Sequence, residues 1–232
     1  ILVLIGDFFD DTFAAAQTYC AAEGGHFLSP FADTDVIEGQ SSVAMEIAEQ
    51  LGKTPDVIVV LVGGGGLSAG VVSYFGLDVL EYVFVEPNGG RSFAVAIDNK
   101  GPITLDRVDS FVDGAAVAQI SSRNFAVLKD VQPDQIKAIP EDRLCSTMIE
   151  MLDVEGIVLE PAGALSIDVL GDITSQIKGK TVVCVSSGGN FDFERLPEVK
   201  ERAQRYLGLK KVFHSAIATT ARSVERFPWN AE

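Results

Sequence analysis

The chain predicts an α/β fold, a mostly parallel twisted sheet with helices on both faces, and three observations carry that expectation. Short apolar, β-branched runs alternate with segments whose apolar positions recur at helical spacing. The run 57–62, Val-Ile-Val-Val-Leu-Val, reads as a buried strand and opens directly into four glycines, 63–66. A second run, Thr181-Val-Val-Cys-Val185, ends in Ser186-Ser-Gly-Gly-Asn190. In such sheets ligands collect at the carboxyl ends of strands, so both glycine-rich loops are expected to line one cleft.

The elements follow in order. Ile1 to Ile5 reads as a buried strand. Asp10 to Glu23 reads as a helix with Phe13, Ala16, Tyr19 and Cys20 on one face, begun by the Asp10–Asp11 pair and ended by Gly24-Gly25. His26 to Pro30 is a short strand and Ser41 to Leu51 a second helix. After the glycines, Leu67 to Phe75 is helical and Val83 to Val85 a strand. Helices are expected over 123–129, 141–152 and 162–171, with a short strand at 157–159 before the last of them.

Composition narrows the function. With 47% apolar and 22% charged residues the chain is of the globular kind, not the disordered kind. Its 33 acidic against 18 basic residues give a net charge of −15, and no basic stripe offers a nucleic-acid footprint. Cys20, Cys145 and Cys184 are odd in number and widely spaced, which fits a reducing, cytoplasmic setting and neither a disulfide framework nor structural zinc. No apolar run approaches the roughly 20 residues of a membrane span. The sequence opens inside an apolar run without an initiator Met or leader, and so reads as a piece of a longer protein.

The four glycines carry the chemistry. A strand that ends in glycines and opens into a helix presents backbone N–H groups to an anion, with the positive end of the helix behind them. The expected ligand is a phosphate group. No Gly-Lys-Ser/Thr follows, so this is not a Walker loop, and Glu86 stands only roughly where a ribose-binding acid would fall. His26 and His214 have no Ser or Cys partner, which leaves a hydrolase triad without support.

Six stretches occur in one order: Ser29-Pro-Phe-Ala-Asp-Thr-Asp-Val-Ile-Glu-Gly-Gln40, Val62-Gly-Gly-Gly-Gly-Leu-Ser-Ala-Gly70, Val85-Glu-Pro87, Asp113-Gly-Ala-Ala-Val117, Glu160-Pro-Ala-Gly-Ala164 and Ser187-Gly-Gly-Asn190. Together they resemble the threonine dehydratases (threonine ammonia-lyases) of the tryptophan-synthase-β-like group of pyridoxal-phosphate enzymes. The resemblance implies an incomplete fold type II architecture and pyridoxal 5'-phosphate as cofactor. It implies that Gly63, Gly64, Gly65, Gly66 and Leu67 hold the phosphate through backbone amides, that Ser187 meets the pyridine nitrogen, and that Glu160 faces the cofactor. A neutral hydroxyl at that nitrogen favours elimination over transamination. The implied reaction converts L-threonine to 2-oxobutanoate and ammonia. Gly39 and Gln40 close a family motif and read as structural.

The same resemblance marks what these residues lack. The Schiff-base lysine of the family lies in a Ser-x-Lys-x-Arg-Gly segment expected before Ile1, and none of the nine lysines here matches it. No catalytic residue is therefore assigned, and the chain alone is expected to be inactive. Glu86 matches a cation-binding position of serine racemases, but Ser92 replaces the second carboxylate, so no metal is assigned. Residues 1–40 are expected to be a remnant of the smaller domain, 41–205 most of the large cofactor-binding domain, and 206–232 a connector with a truncated effector-domain start. Glu198 to Lys211 resembles the connector of biosynthetic, feedback-regulated dehydratases. From Val212 the likeness stops, and allowed codon choices read one nucleotide later can yield a stretch that resembles an effector-domain start, so the tail is expected to arise from a frameshift. The parent is expected to be a homotetramer. A serine or hydroxyamino-acid dehydratase or racemase, or a non-catalytic phosphate-binding fragment, stands as the alternative.

Overall fold

The computed structural model describes residues 2–6 and 9–209. Four strands form one parallel sheet: β1 (Val57–Leu61), β2 (Glu81–Pro87), β3 (Ile136–Ile139) and β4 (Val182–Cys184), in the order β3-β2-β1-β4. All five residues of β1 are buried because it is covered on both faces and paired on both edges. Its side chains alternate. Val57, Val59 and Leu61 enter one core with Val83 and Val85, while Ile58, Val60 and Val62 enter the other with Tyr82 and Phe84.

The helices are α1 (Phe9–Glu23), α2 (Thr34–Leu51), α3 (Gly66–Phe75), α4 (Ser92–Asp98), α5 (Ser122–Leu128), α6 (Glu141–Glu150), α7 (Pro161–Asp168) and α8 (Thr174–Ile177). Residues 196–209 are also helical. The first core takes Leu144 and Met148 of α6, Ala164 and Leu165 of α7, and Val199 and Ala203 of the last helix. The second takes Ala44 of α2, Val71 and Val72 of α3, Phe93 of α4, and Phe125 and Leu128 of α5.

Three expected strands are absent. Residues 2–6 pair with no described strand, and Leu2 and Leu4 are each 84% exposed. A lone apolar segment gains nothing from strand geometry without a ladder to join. Residues 26–30 instead turn so that Phe27 meets Phe13 edge-on, with ring centroids 5.2 Å apart. Residues 157–159 leave the Gly156 turn, and the Glu160 N–H then bonds the Gly188 carbonyl at 3.2 Å, a single link rather than a ladder. The sheet takes β3 in their place, whose Ile-Lys-Ala-Ile gave no clear period, and α4 went unread for its shortness. Helix α2 begins seven residues earlier than expected, capped by the Asp33 side chain on the Asp35 N–H at 3.0 Å, and runs unbroken through residues 40–41.

Two contacts lock the layers. In α3, a Cβ at Gly70 would stand 2.8 Å from both the Ile37 carbonyl and the Ser41 N–H, so the backbones of α2 and α3 touch there. Across α6 and α7, the Arg143 guanidinium donates from Nε to Asp168 at 2.7 Å and from its two terminal nitrogens to Asp172 at 2.9 and 2.7 Å. Thr147 completes the set by donating to buried Asp168 at 2.7 Å. Glu86, fully buried at the end of β2, accepts from the N–H groups of Phe93 at 2.7 Å and Ala94 at 3.0 Å. Burial pushes its carboxyl up to about 7, against the opposing pull of those two donors and of Arg91.

Gly70→Val is expected to destabilise the chain by about 3 kcal/mol, since backbone on both sides must move, as read by urea unfolding. For Glu86 the folded form holds its proton to higher pH than the unfolded form. Its contribution is therefore present at low pH and lost as pH rises from the ordinary carboxylate value through about 7. Relative to Glu86→Gln, the native protein should lose about 3 kcal/mol of stability between pH 4.5 and 8. Parallel unfolding midpoints for the two proteins across that range would contradict it.

Candidate functional site

The chain leaves β1 toward β2 and β3 on one side, yet β4 pairs with the other side of β1. A crevice opens where the connections part, at the carboxyl ends of β1 and β4. A cleft of about 440 Å³ lies there, lined by Leu61, all four glycines of 63–66, Leu67, Asp113, Gly114, Val117, Glu160 and Ser187, with Phe9, Pro30, Phe31 and Gln40 closing one side. Gly63, Gly64, Gly65, Gly66, Leu67, Glu160 and Ser187, singled out from sequence, thus share one cavity.

Each wall has a local cause. Gly65 adopts φ +89° and caps α3, whose first turn opens into the cleft. Among the described residues the N–H groups of Gly64 and Gly65 donate to no protein acceptor. The loop is boxed in: a Cβ at Gly63 would meet the Ala115 backbone at 3.0 Å, one at Gly65 would meet Asn124 at 2.9 Å, and one at Gly64 would clash with the Phe31 ring. Phe31 in turn stacks on Phe13 of α1 with centroids 5.8 Å apart.

The opposite wall rests on α7. Pro161 starts that helix and Glu160 caps it without a side-chain cap bond. Gly163, in its first turn, leaves no room for a Cβ against the Gly188 carbonyl, so α7 and the 186–190 loop are in backbone contact beside exposed Ser187. The Glu160 carboxylate lies against Gly188 and Gly114. Burial raises its pKa first and Asp113 adds to this, while an N–H of Asn190 opposes. Asp113 pairs with Arg195 at 3.4 Å, and Arg195 and Arg202 both stand over the Phe111 ring, 5.0 and 4.1 Å from its centroid. The last helix is thereby tied to the segment that carries Asp113 and Gly114.

Among the described residues no cationic side chain lines the cleft. Lys53 donates to Thr181 at 2.8 Å and Lys180 to Glu81 at 2.6 Å, both at the amino ends of strands and away from it. Lys210, Lys211 and the tail from Val212 lie outside the described residues. Burial pushes the thiols of Cys184 and Cys145 up to about 11 and about 12, so neither supplies a thiolate nucleophile at neutral pH. Among the described residues, no group of three or more His, Cys, Asp or Glu is placed to hold a metal ion, and no helix is long and apolar enough to cross a membrane. Gln40, read as structural, borders the cavity. Phe31 and Asn124 were missed: Phe31 lay within a quoted motif but was assigned no role, and a lone amide in a short helix gives no sequence signal. Asp113, Gly114 and Val117 lay within a quoted motif but were assigned no role.

Comparison with known proteins adds the family. The model of the pyridoxal-phosphate dependent enzymes matches residues 1–188. A Bacillus subtilis (strain 168) protein, L-threonine dehydratase biosynthetic IlvA, is 41% identical over 214 residues, covering 91% of this chain and 50% of that protein. Its Lactococcus lactis counterpart is 40% identical over 215 residues, covering 90% and 51%. This chain thus spans about half the length of these relatives. Among solved structures, the processed form of threonine deaminase isoform 2 from Solanum lycopersicum matches with a TM-score of 0.79 at 32% identity, covering 87% of this chain and 59% of that one. Maize serine racemase shares the fold, with a TM-score of 0.73 at 20% identity, covering 86% and 63%. With a family model matched over most of its length and a glycine-lined crevice at the switch point of its sheet, the chain belongs to the pyridoxal-phosphate dependent enzymes.

Proposed function

We propose that this chain forms the cofactor-binding part of an L-threonine dehydratase, which removes water from L-threonine and releases 2-oxobutanoate and ammonia on the route to isoleucine. The observation that carries this reading is the meeting of the 63–66 loop, Ser187 and Glu160 around one cavity, in a chain 41% identical to a biosynthetic dehydratase. The residues present suit pyridoxal phosphate. Unengaged loop N–H groups at the positive end of α3 match a phosphate dianion, and Ser187 offers a hydroxyl to the ring nitrogen. A cavity of about 440 Å³ is of the size that small cofactors occupy.

Bound there, the cofactor supplies a conjugated ring that draws electron density from the substrate carbon. The chain's own residues bind and orient it. Gly63 to Leu67 hold the phosphate by backbone amides, and Ser187 leaves the ring nitrogen without a full positive charge, which suits elimination. Glu160 stands as a partly desolvated carboxyl on the opposite wall. Covalent attachment requires an amine. No described lysine lines the cleft, so we assign that amine to a part of the dehydratase outside these 232 residues. In this reading residues 1–40 belong to the smaller domain and 41–205 to most of the large one, with α2 bridging them. Residues 206–232 form the connector and a truncated, frameshifted effector-domain start, and the parent is a cytoplasmic homotetramer. The fold shared with maize serine racemase makes a serine-acting enzyme the second reading, which turnover of threonine against serine by the full-length parent decides.

Titrating the purified chain with pyridoxal phosphate, then reducing with borohydride and mapping peptides, tests the proposal. Saturable binding that dialysis removes, with no single lysine labelled, is the expected outcome. A stoichiometric label on one lysine, with a cofactor absorbance band that threonine perturbs, would place the reactive amine within this chain and overturn its assignment elsewhere. Absence of saturable binding would remove the phosphate role of the glycine loop.

A further inference from the structure

We propose that Asn124 is a positioning residue for the glycine loop: its side-chain amide fixes the Gly64–Gly65 peptide so that the Gly65 N–H faces the phosphate site. This rests on the reading that the loop holds a phosphate. Asn124 lies in α5, is fully buried and does not line the cleft. Its Nδ2 donates to the Gly64 carbonyl at 2.7 Å and to the Phe31 carbonyl at 2.7 Å. Both partners are acceptors, so only the NH₂ end of the amide satisfies them. The Ser121 N–H, at the start of α5, adds a third donor to the pair by reaching the Gly64 carbonyl at 3.3 Å.

In a trans peptide the C=O and the following N–H point in opposite directions. Holding the Gly64 carbonyl toward α5 therefore turns the Gly65 N–H to the other side, where Gly65 borders the cavity and its N–H has no described protein acceptor. Glycine has no side chain to resist rotation of this peptide, so the orientation has to be imposed from outside the loop. The bond to Phe31 matters as well, because it seats the ring that covers Gly64. The cost is visible on the same side chain: Asn124 Oδ1 is buried without a hydrogen-bond partner. An apolar residue of similar volume would spare that oxygen but take the amide donor away from the Phe31 and Gly64 carbonyls. Retaining a half-satisfied amide behind a ligand loop fits a role in aiming donors better than a role in packing.

Titrating the chain with pyridoxal phosphate and, separately, with pyridoxal isolates the phosphate contribution. The native chain should prefer the phosphorylated form. Asn124→Leu should weaken pyridoxal-phosphate binding about tenfold, the loss of two hydrogen bonds at the loop, while pyridoxal affinity holds and the melting temperature falls modestly. Asn124→Thr, which keeps one donor, should fall between. An undiminished phosphate preference in folded Asn124→Leu, or equal weakening of both ligands in both variants, overturns the positioning role. If Asn124→Leu does not fold, Asn124→Thr decides by the same ratio. A native chain that binds both ligands alike removes the phosphate reading itself, and the positioning role with it.

Discussion

The parallel pairing of β1 with a neighbour on each edge is the constraint on which the rest depends. Because β2 and β4 flank it, the connection that leaves β1 runs to one side while the later connection into β4 returns to the other, and a crevice opens at its carboxyl end. Burial of all five β1 residues fixes that strand in both cores at once, so its end is a rigid origin for the loop that follows. Helix α3 then has one direction to run, and its first turn opens at the crevice.

Backbone-to-backbone contacts convert this frame into a site. Gly70 lets α2 lie directly on α3, and Gly163 does the same for α7 against the loop bearing Ser187. Both are places where the absence of a side chain sets a distance between elements, whereas Gly65 is needed for a left-handed turn. The Arg143 cluster acts on the far side of α7: it ties that helix to α6 through two aspartates and so holds the helix whose start carries Glu160. Asp168, nearly buried, has both a charged donor and a hydroxyl donor, the condition under which a buried carboxylate is tolerated.

The sequence was most legible where burial and loop chemistry agree. The apolar run of β1 and the glycines after it are local statements of one geometry, and the loop after β4 repeats it in weaker form. It was least legible where structure depends on a distant partner. Residues 2–5 have the composition of a strand and no described strand to join, whereas Ile-Lys-Ala-Ile becomes β3 only because β2 offers an open edge. Phe31 and Asn124 were opaque for the same reason: their roles lie in contacts across 33 and 60 positions of chain to Gly64. Glu86 is a further instance, since its burial and its two N–H partners in α4 cannot be inferred from a carboxylate at a strand end.

Building one wall of the cleft from peptide groups has an evolutionary consequence. A side-chain donor can be deleted by one substitution, but a main-chain N–H survives almost any change except proline. The loop 63–66 therefore keeps its donors under substitution but not its shape, since a Cβ at any of the four glycines would meet other atoms within 3.0 Å. Variation also reaches it through the surfaces that hold its shape, which are the Phe31 ring, the Ala115 backbone, Ile120, and Asn124 of α5. Lineages of this fold would diverge in affinity by repacking behind the loop while leaving the contacting atoms unaltered.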